Sequence, residues 1–372
     1  MKYNIWNKWD PLKVCMLGNH YAPEFFNGCD TKASDPLKRI CEETLEDLDG
    51  FKTILQQFGV QVIQPELDPN ERFLDNPHRY PRGPLQPRDA QLVLGNDCYI
   101  TGNDHPSIAK KLDEYSTTKN LKEQMFYTRE NYEVFAGEDY PPYEEYRANF
   151  QNKDFFPDFV WEELQTDTPA LISSATAFMI GTKLYLGDDN MEQLMDVVSE
   201  FMPAINHFDT TIVKMIGHSD GNFHPIKPGA ILSLHNVQTY SETFPGWDVC
   251  YLPDESWEKI EGFWKLKQKN QGKWWLAGEE DNTEFTHFVE TWLSDWVGYV
   301  EETVFDVNVL MLDANHCCVS NPNNEQVNAF FKKHKVEAVY VPWRHRYFWD
   351  GGLHCITLDL YREGTQKDYF NP

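Results

Sequence analysis

A cysteine at position 355 follows two glycines and opens a strand-like run, in Asp350-Gly351-Gly352-Leu353-His354-Cys355-Ile356-Thr357-Leu358-Asp359. Glycine leaves backbone room in front of the sulfur, which suits a nucleophile better than a packing residue. Two other segments carry groups able to serve that thiol: Pro87-Arg88-Asp89 and Gly217-His218-Ser219-Asp220-Gly221. Together they fit attack on a guanidinium group, which is planar, cationic and a poor electrophile. Carboxylates from Asp89 and Asp220 would hold the cation through paired hydrogen bonds. Cys355 would attack the central carbon. His218 would give a proton to the departing amine and take one from the next nucleophile. The bound cation would itself favour the thiolate.

Each residue also has a plainer use. Asp89 suits a strand cap or a pair with Arg88, His218 a satisfied loop histidine, and Asp220 before Gly221 a turn. His354 neighbours Cys355, and on a strand it points to the opposite face. It therefore receives no catalytic role. His218, Asp220, His224 and Cys355 match no common zinc spacing, so no metal is expected.

The elements around these residues repeat a theme: a helix, a β-branched strand, a loop and a β-hairpin. The first helix reads from about Cys41 to Phe58 and ends at Gly59. Val60-Gln61-Val62-Ile63 follows as a strand, and the hairpin spans Ala90 to Leu94 and Cys98 to Thr101. Further hairpins read at Ala175–Ile180 with Leu184–Leu186, Phe223–Ile226 with Ala230–Leu234, and Val307–Leu312 with Cys317–Val319. Helices are expected at Met191–Phe201 and Glu325–Lys332, and strands at Thr211–Met215 and Val336–Val341. Loops after helix–strand units carry Asp89, His218 with Asp220, and Cys355, so modules closing around a centre would bring them together. No strict sequence period is present. Asp104 to Thr168 and the tryptophan-rich Thr239 to Val304 interrupt the theme. They read as insertions near 104–168 and 239–304 in a single domain over residues 1–372, the second giving a helical cover with an aromatic core.

The 372 residues carry a formal net charge of −26, with 41% apolar and 15% aromatic residues. That balance is globular, and it repels nucleic acid and anionic membranes. Its plainest effect is solubility, with a weak preference for cationic small molecules. Eight cysteines lie at irregular spacings without a CxxC pair, and Cys317-Cys318 reads as buried thiols. No apolar h-region or membrane-length run is present, so the protein is expected in the cytoplasm with reduced thiols.

The chain resembles the glycine/inosamine amidinotransferases of the pentein, or guanidino-group-modifying, superfamily. The resemblance rests on Trp9-Asp10-Pro11-Leu12-Lys13-Val14, Pro87-Arg88-Asp89 and His218-Ser219-Asp220 with Phe223 and Pro228-Gly229. It continues through Asn308-Val309-Leu310-Met311-Leu312 to Gly351–Asp359 with Arg362 and Gly364. The matches run in order from residue 9 to 364. The resemblance implies an α/β propeller of five ββαβ-type modules about a pseudo-fivefold axis. It implies that Cys355 takes the amidino group of arginine, releases ornithine, and passes the group to a small primary amine such as glycine. It implies no metal or organic cofactor, and a homodimer is left open.

Two positions depart from the family pattern. Ser173 stands where an aspartate usually orients the catalytic histidine, with Asp167 a candidate substitute. Leu234-His235-Asn236-Val237-Gln238 lacks the arginine that usually binds a substrate carboxylate. A guanidine hydrolase, or a degenerate pentein that only binds a ligand or partner, therefore stays open as an alternative.

Overall fold

The computed structural model describes residues 2–75, 82–100, 105–120, 142, 145, 175, 177–187, 208–213, 218–234, 243–252, 276, 278–279, 281–293, 296–297 and 302–370. Ser173, Asp167, the 191–201 helix and residues 235–238 lie outside them.

The first long element, α1 (Thr31–Gln57), starts earlier than its apolar periodicity predicts. Asp30 caps it by accepting the Lys32 N–H at 2.9 Å. Pro36 sits early in the helix, where its missing N–H gives up one hydrogen bond. The helix ends before Gly59, whose φ of 75° is a left-handed turn that other residues resist.

Fifteen strands form five three-stranded sheets among the described residues. The first contains β1 (Leu12–Leu17), β2 (Gln61–Ile63) and the last strand, β15 (Thr357–Arg362). The second contains β3 (Gln91–Leu94), β4 (Asp97–Ile100) and β5 (Lys119–Asn120). The third contains β6 (Ala177–Ile180), β7 (Lys183–Gly187) and β8 (Asp209–Val213). The fourth contains β9 (Phe223–Lys227), β10 (Ala230–Leu234) and β11 (Asp248–Leu252). The fifth contains β12 (Leu310–Asp313), β13 (His316–Val319) and β14 (Glu337–Tyr340).

All five share one pattern. A central strand pairs antiparallel on one side and parallel on the other. In the first sheet, β1 pairs antiparallel with β15, so the two ends of the chain close one unit. The parallel strands β5 and β11 fall within stretches that read as insertions, as does the helix α2 (Pro106–Tyr115). Those stretches thus contribute to the repeated unit. The remaining helices described are α3 (Ser219–Asn222), α4 (Thr283–Trp292), α5 (Glu302–Val307), α6 (Glu325–His334) and α7 (Arg346–Trp349).

Among the described tryptophans of the tryptophan-rich stretch, Trp296 is buried and Trp292 is exposed. Trp296 packs with Phe25 and Phe26 against the α1 side of the core. No described helix is long and apolar enough to cross a membrane.

A buried ion network joins the strands. Arg88 pairs with Asp359 at 3.1 Å and donates Nε–H to the carbonyls of His354 and Thr357, each at 3.0 Å. Arg362 donates to Asp359 at 2.9 Å and to the carbonyls of Asp10 and Met311, each at 2.7 Å. Burial alone would raise the Asp359 pKa, but Arg362 and Arg88 outweigh it and hold the carboxyl well below its ordinary range. Replacing Arg88 by Met leaves Asp359 with one fewer cation and strips a donor from two buried carbonyls. We expect Arg88→Met to lose roughly 3–5 kcal/mol of stability in urea unfolding; a loss under about 1 kcal/mol would show that Arg362 alone balances the carboxylate.

Candidate active site

The segments entering the first strands of several sheets carry polar groups. Asp89 precedes β3, Asp220 precedes β9 through the short α3, Asn308 precedes β12, and Cys355 precedes β15. Arg88 and Asp89 face different surroundings: Arg88 enters the ion network, and Asp89 lies near Arg82 at 3.9 Å. The pairing of Asp89 with Arg88 considered from sequence is therefore replaced by Arg82.

Cys355 is buried, and its Sγ lies 3.5 Å from Asp220 Oδ2. Burial, then the charges of Asp220 and Asp89, push the thiol pKa well above its usual value. The free protein therefore holds a neutral thiol near pH 7. Burial also raises the Asp89 pKa, against the opposing pull of Arg82 and His218. His218 is exposed at the N-cap of α3, close enough for its charge to act on Asp89. The structure thus gathers Cys355, Asp220 and Asp89, with His218 beside Asp89.

His354 requires a correction. Residues 353–356 form a turn, and regular strand begins at Thr357, so alternating strand faces do not govern His354. Its Nδ1 bonds Asp220 Oδ2 at 2.7 Å, the same oxygen that faces Cys355 Sγ. Burial, then Arg88 and Lys8, lower its pKa well below the usual histidine value. The neutral ring donates Nδ1–H to the carboxylate.

Beside Asp220, the side chains of Lys8, Arg88, His224 and His354, together with apolar residues such as Phe178 and Phe223, line a small cavity of about 10 Å³, near the size of one water molecule. Burial, then Arg88, lowers the Lys8 pKa to about 7. The His224 and His354 rings meet edge to face at 5.0 Å. Sequence reasoning missed Lys8, His354, Arg82 and Asn308. The Asn308-Val309-Leu310 match marked Asn308 only as the start of a strand.

The two glycines admit close neighbours. A Cβ on Gly352 would lie 2.6 Å from Asn308 Oδ1, and one on Gly351 would lie 2.2 Å from Gln86 Nε2. Gln86 also donates to the Trp349 carbonyl at 2.8 Å. The turn that carries Cys355 is therefore shaped by side chains from two other sheet units.

No family model matches the chain. An L-arginine:L-lysine amidinotransferase from Pseudomonas savastanoi pv. phaseolicola is 22% identical over 353 residues, covering 90% of this chain and 82% of that protein. A mitochondrial glycine amidinotransferase from Xenopus laevis is 27% identical over 158 residues, covering 41% of this chain. The chain is thus similar to amidinotransferases, in one case over nearly its whole length. The Xenopus match spans only 28% of that relative's length. In fold, the chain is similar to SxtG, an amidinotransferase from Microseira wollei in the saxitoxin biosynthetic pathway. That likeness has a TM-score of 0.60, 18% identity and 99% coverage of both chains. The inosamine-phosphate amidinotransferase StrB1 from Streptomyces griseus gives a TM-score of 0.56 at 15% identity, with 99% coverage of both chains.

The buried histidine rings make the protein's stability pH-dependent. Burial lowers the pKa of His20 to about 3 and those of His224 and His354 well below 6.5. The unfolded chain binds protons that these folded rings refuse, so stability rises with pH in that window. As pH falls from 6.5 toward 5, each ring costs up to roughly 1.4 kcal/mol per pH unit. His224→Gln should flatten that acid slope by about one ring's share, measured as unfolding free energy against pH. An unchanged slope would mean that His224 takes up its proton in the folded state.

Proposed function

We propose that the protein transfers the amidino group of arginine through a covalent Cys355 adduct to a small primary amine, with glycine the expected acceptor. The observation that carries this reading is Asp220, whose single oxygen meets Cys355 Sγ at 3.5 Å and His354 Nδ1 at 2.7 Å. Asp89 is near enough for its charge to act on the same sulfur. Similarity to amidinotransferases over most of the chain supports the reaction class. The five sheets of shared topology support a pentein propeller about a pseudo-fivefold axis, with these residues at its centre.

Asp89 and Asp220 bind the guanidinium of arginine, which competes with Arg82 for Asp89. The arriving positive charge offsets the two carboxylates that oppose thiolate formation. Cys355 gives its proton to His218 as its sulfur attacks the guanidinium carbon, forming a tetrahedral adduct. His218 protonates the nitrogen of the ornithine portion, the C–N bond breaks, and ornithine leaves. The amidino group remains on sulfur as a cationic thioether-like adduct. The acceptor amine then gives a proton to His218 and attacks the same carbon. The C–S bond breaks, and the thiolate and guanidino product are released. His354 stays neutral and holds Asp220 in place.

Ser173 in the position of the family aspartate keeps water as a competing acceptor worth testing. Incubation with labelled arginine and a panel of amines should give ornithine and a labelled guanidino product. Citrulline or ammonia would instead indicate hydrolysis. We expect Cys355→Ser to abolish ornithine release; retained release would remove the nucleophile assignment. The protein is expected in the cytoplasm, where fractionation would find it.

A further inference from the structure

Asn308 is buried, and it lies between α5 and β12. Its Oδ1 accepts the backbone N–H groups of His354 at 2.9 Å and Cys355 at 3.1 Å. Its Nδ2 donates to Cys355 Sγ at 3.0 Å and to the Asp220 carbonyl at 3.3 Å. The amide orientation follows from chemistry: two backbone donors require the oxygen, which leaves the nitrogen facing sulfur and carbonyl. One side chain therefore ties together the nucleophile turn, the segment carrying Asp220, and the entry to β12.

We propose that Asn308 is a further catalytic residue: its Nδ2–H donates to the Cys355 sulfur and stabilises the thiolate that attacks and later departs, while its Oδ1 holds the turn in register. The proposal rests on Cys355 being the nucleophile of the reaction above. An N–H bond to a charged sulfur is stronger than one to a neutral thiol, so it favours the reactive form. Such a bond matters because the other charges work against that form. Asp220 and Asp89 face the sulfur and oppose its ionisation. Asp350 and His354 flank it on its own turn. Arg82 and His218 act on Asp89, while Lys8, Arg88 and His224 surround His354. The Gly352 backbone and the Asn308 side chain are the hydrogen-bond partners that favour the thiolate.

The location supports the assignment as well. Asp89, Asp220 and Cys355 occupy the entries to β3, β9 and β15, and Asn308 occupies the corresponding entry to β12. The sheet unit that supplies Asn308 would otherwise contribute only packing to this part of the site.

Asn308→Asp separates anchoring from donation. The remaining carboxyl oxygen can accept both backbone N–H groups. The second oxygen replaces the donor, and because a carboxyl is the stronger acid, a shared proton rests on sulfur. Alkylation of Cys355 by iodoacetamide, followed by mass spectrometry of its peptide, should show a pH midpoint raised by about one unit, hence about tenfold slower labelling below it. With arginine as substrate, kcat should fall on the order of a hundredfold, without a rise in KM. A wild-type alkylation profile in the folded Asp variant would overturn the proposal and leave Asn308 a structural anchor. If the Asp variant does not fold, Asn308→Ala provides the same alkylation test without a new charge. The midpoint should again rise, and an unchanged midpoint again overturns the proposal. Alkylation needs no turnover, so a shifted midpoint in a protein that never converts arginine would defeat the proposed reaction while leaving the Asn308–Cys355 interaction intact.

Discussion

The placement of Cys355 depends on a buried carboxylate, Asp359, shared by two arginines. Asp359 and Arg362 belong to β15, while Arg88 belongs to the loop entering β3. Such a cluster is expensive to bury, and its attraction compensates only when every donor and acceptor is matched. The matching extends beyond the charges. Arg88 ends on the carbonyls of His354 and Thr357, which bracket Cys355. Arg362 reaches Asp10 near the chain start and Met311 in β12. The charge network thereby specifies how separate sheets meet and where the turn containing the sulfur must lie.

The same arrangement explains how Pro87-Arg88-Asp89 directs its two opposite charges to different partners. Arg88 faces inward to satisfy buried acceptors, while its neighbour Asp89 faces Arg82. A sequence reader sees two adjacent opposite charges and naturally pairs them. Buried geometry separates them, because Asp359 offers Arg88 a desolvated partner and two carbonyls complete its hydrogen bonding.

Much of the architecture was legible because hairpins announce themselves through short apolar runs around glycine turns. The Gly95, Gly181 and Gly229 turns separate the paired strands, and all three residues have positive φ. The parallel strands β5 and β11 were harder to read. β5 spans only Lys119–Asn120, and β11 lies within a stretch dominated by tryptophan. Cys355, Asp220 and Asp89 were legible because their side chains have obvious chemistry. His354 was misread because the strand was extended too far back, and period-two alternation loses its meaning in a turn. Asn308 and Lys8 carried weaker signals. A neutral amide at a strand entry resembles a cap, and a lysine near the chain start resembles a solvent-facing charge. Only the fold shows that one meets sulfur and the other is buried beside Asp220.

In the free protein, the acidic surroundings of Cys355 oppose its ionisation. The arrangement becomes coherent when the proposed substrate is included in the charge balance. A cation entering beside Asp89 and Asp220 neutralises the groups that hold Cys355 protonated, so sulfur becomes reactive where its electrophile is already oriented. Neutral His354 complements this logic: it donates to Asp220 without adding a permanent positive charge that would compete with the substrate. Asn308 complements it differently, since an amide supplies a donor to sulfur while remaining uncharged at every physiological pH. The site can thus reserve its net attraction for the incoming cation and still hold the sulfur in place between turnovers.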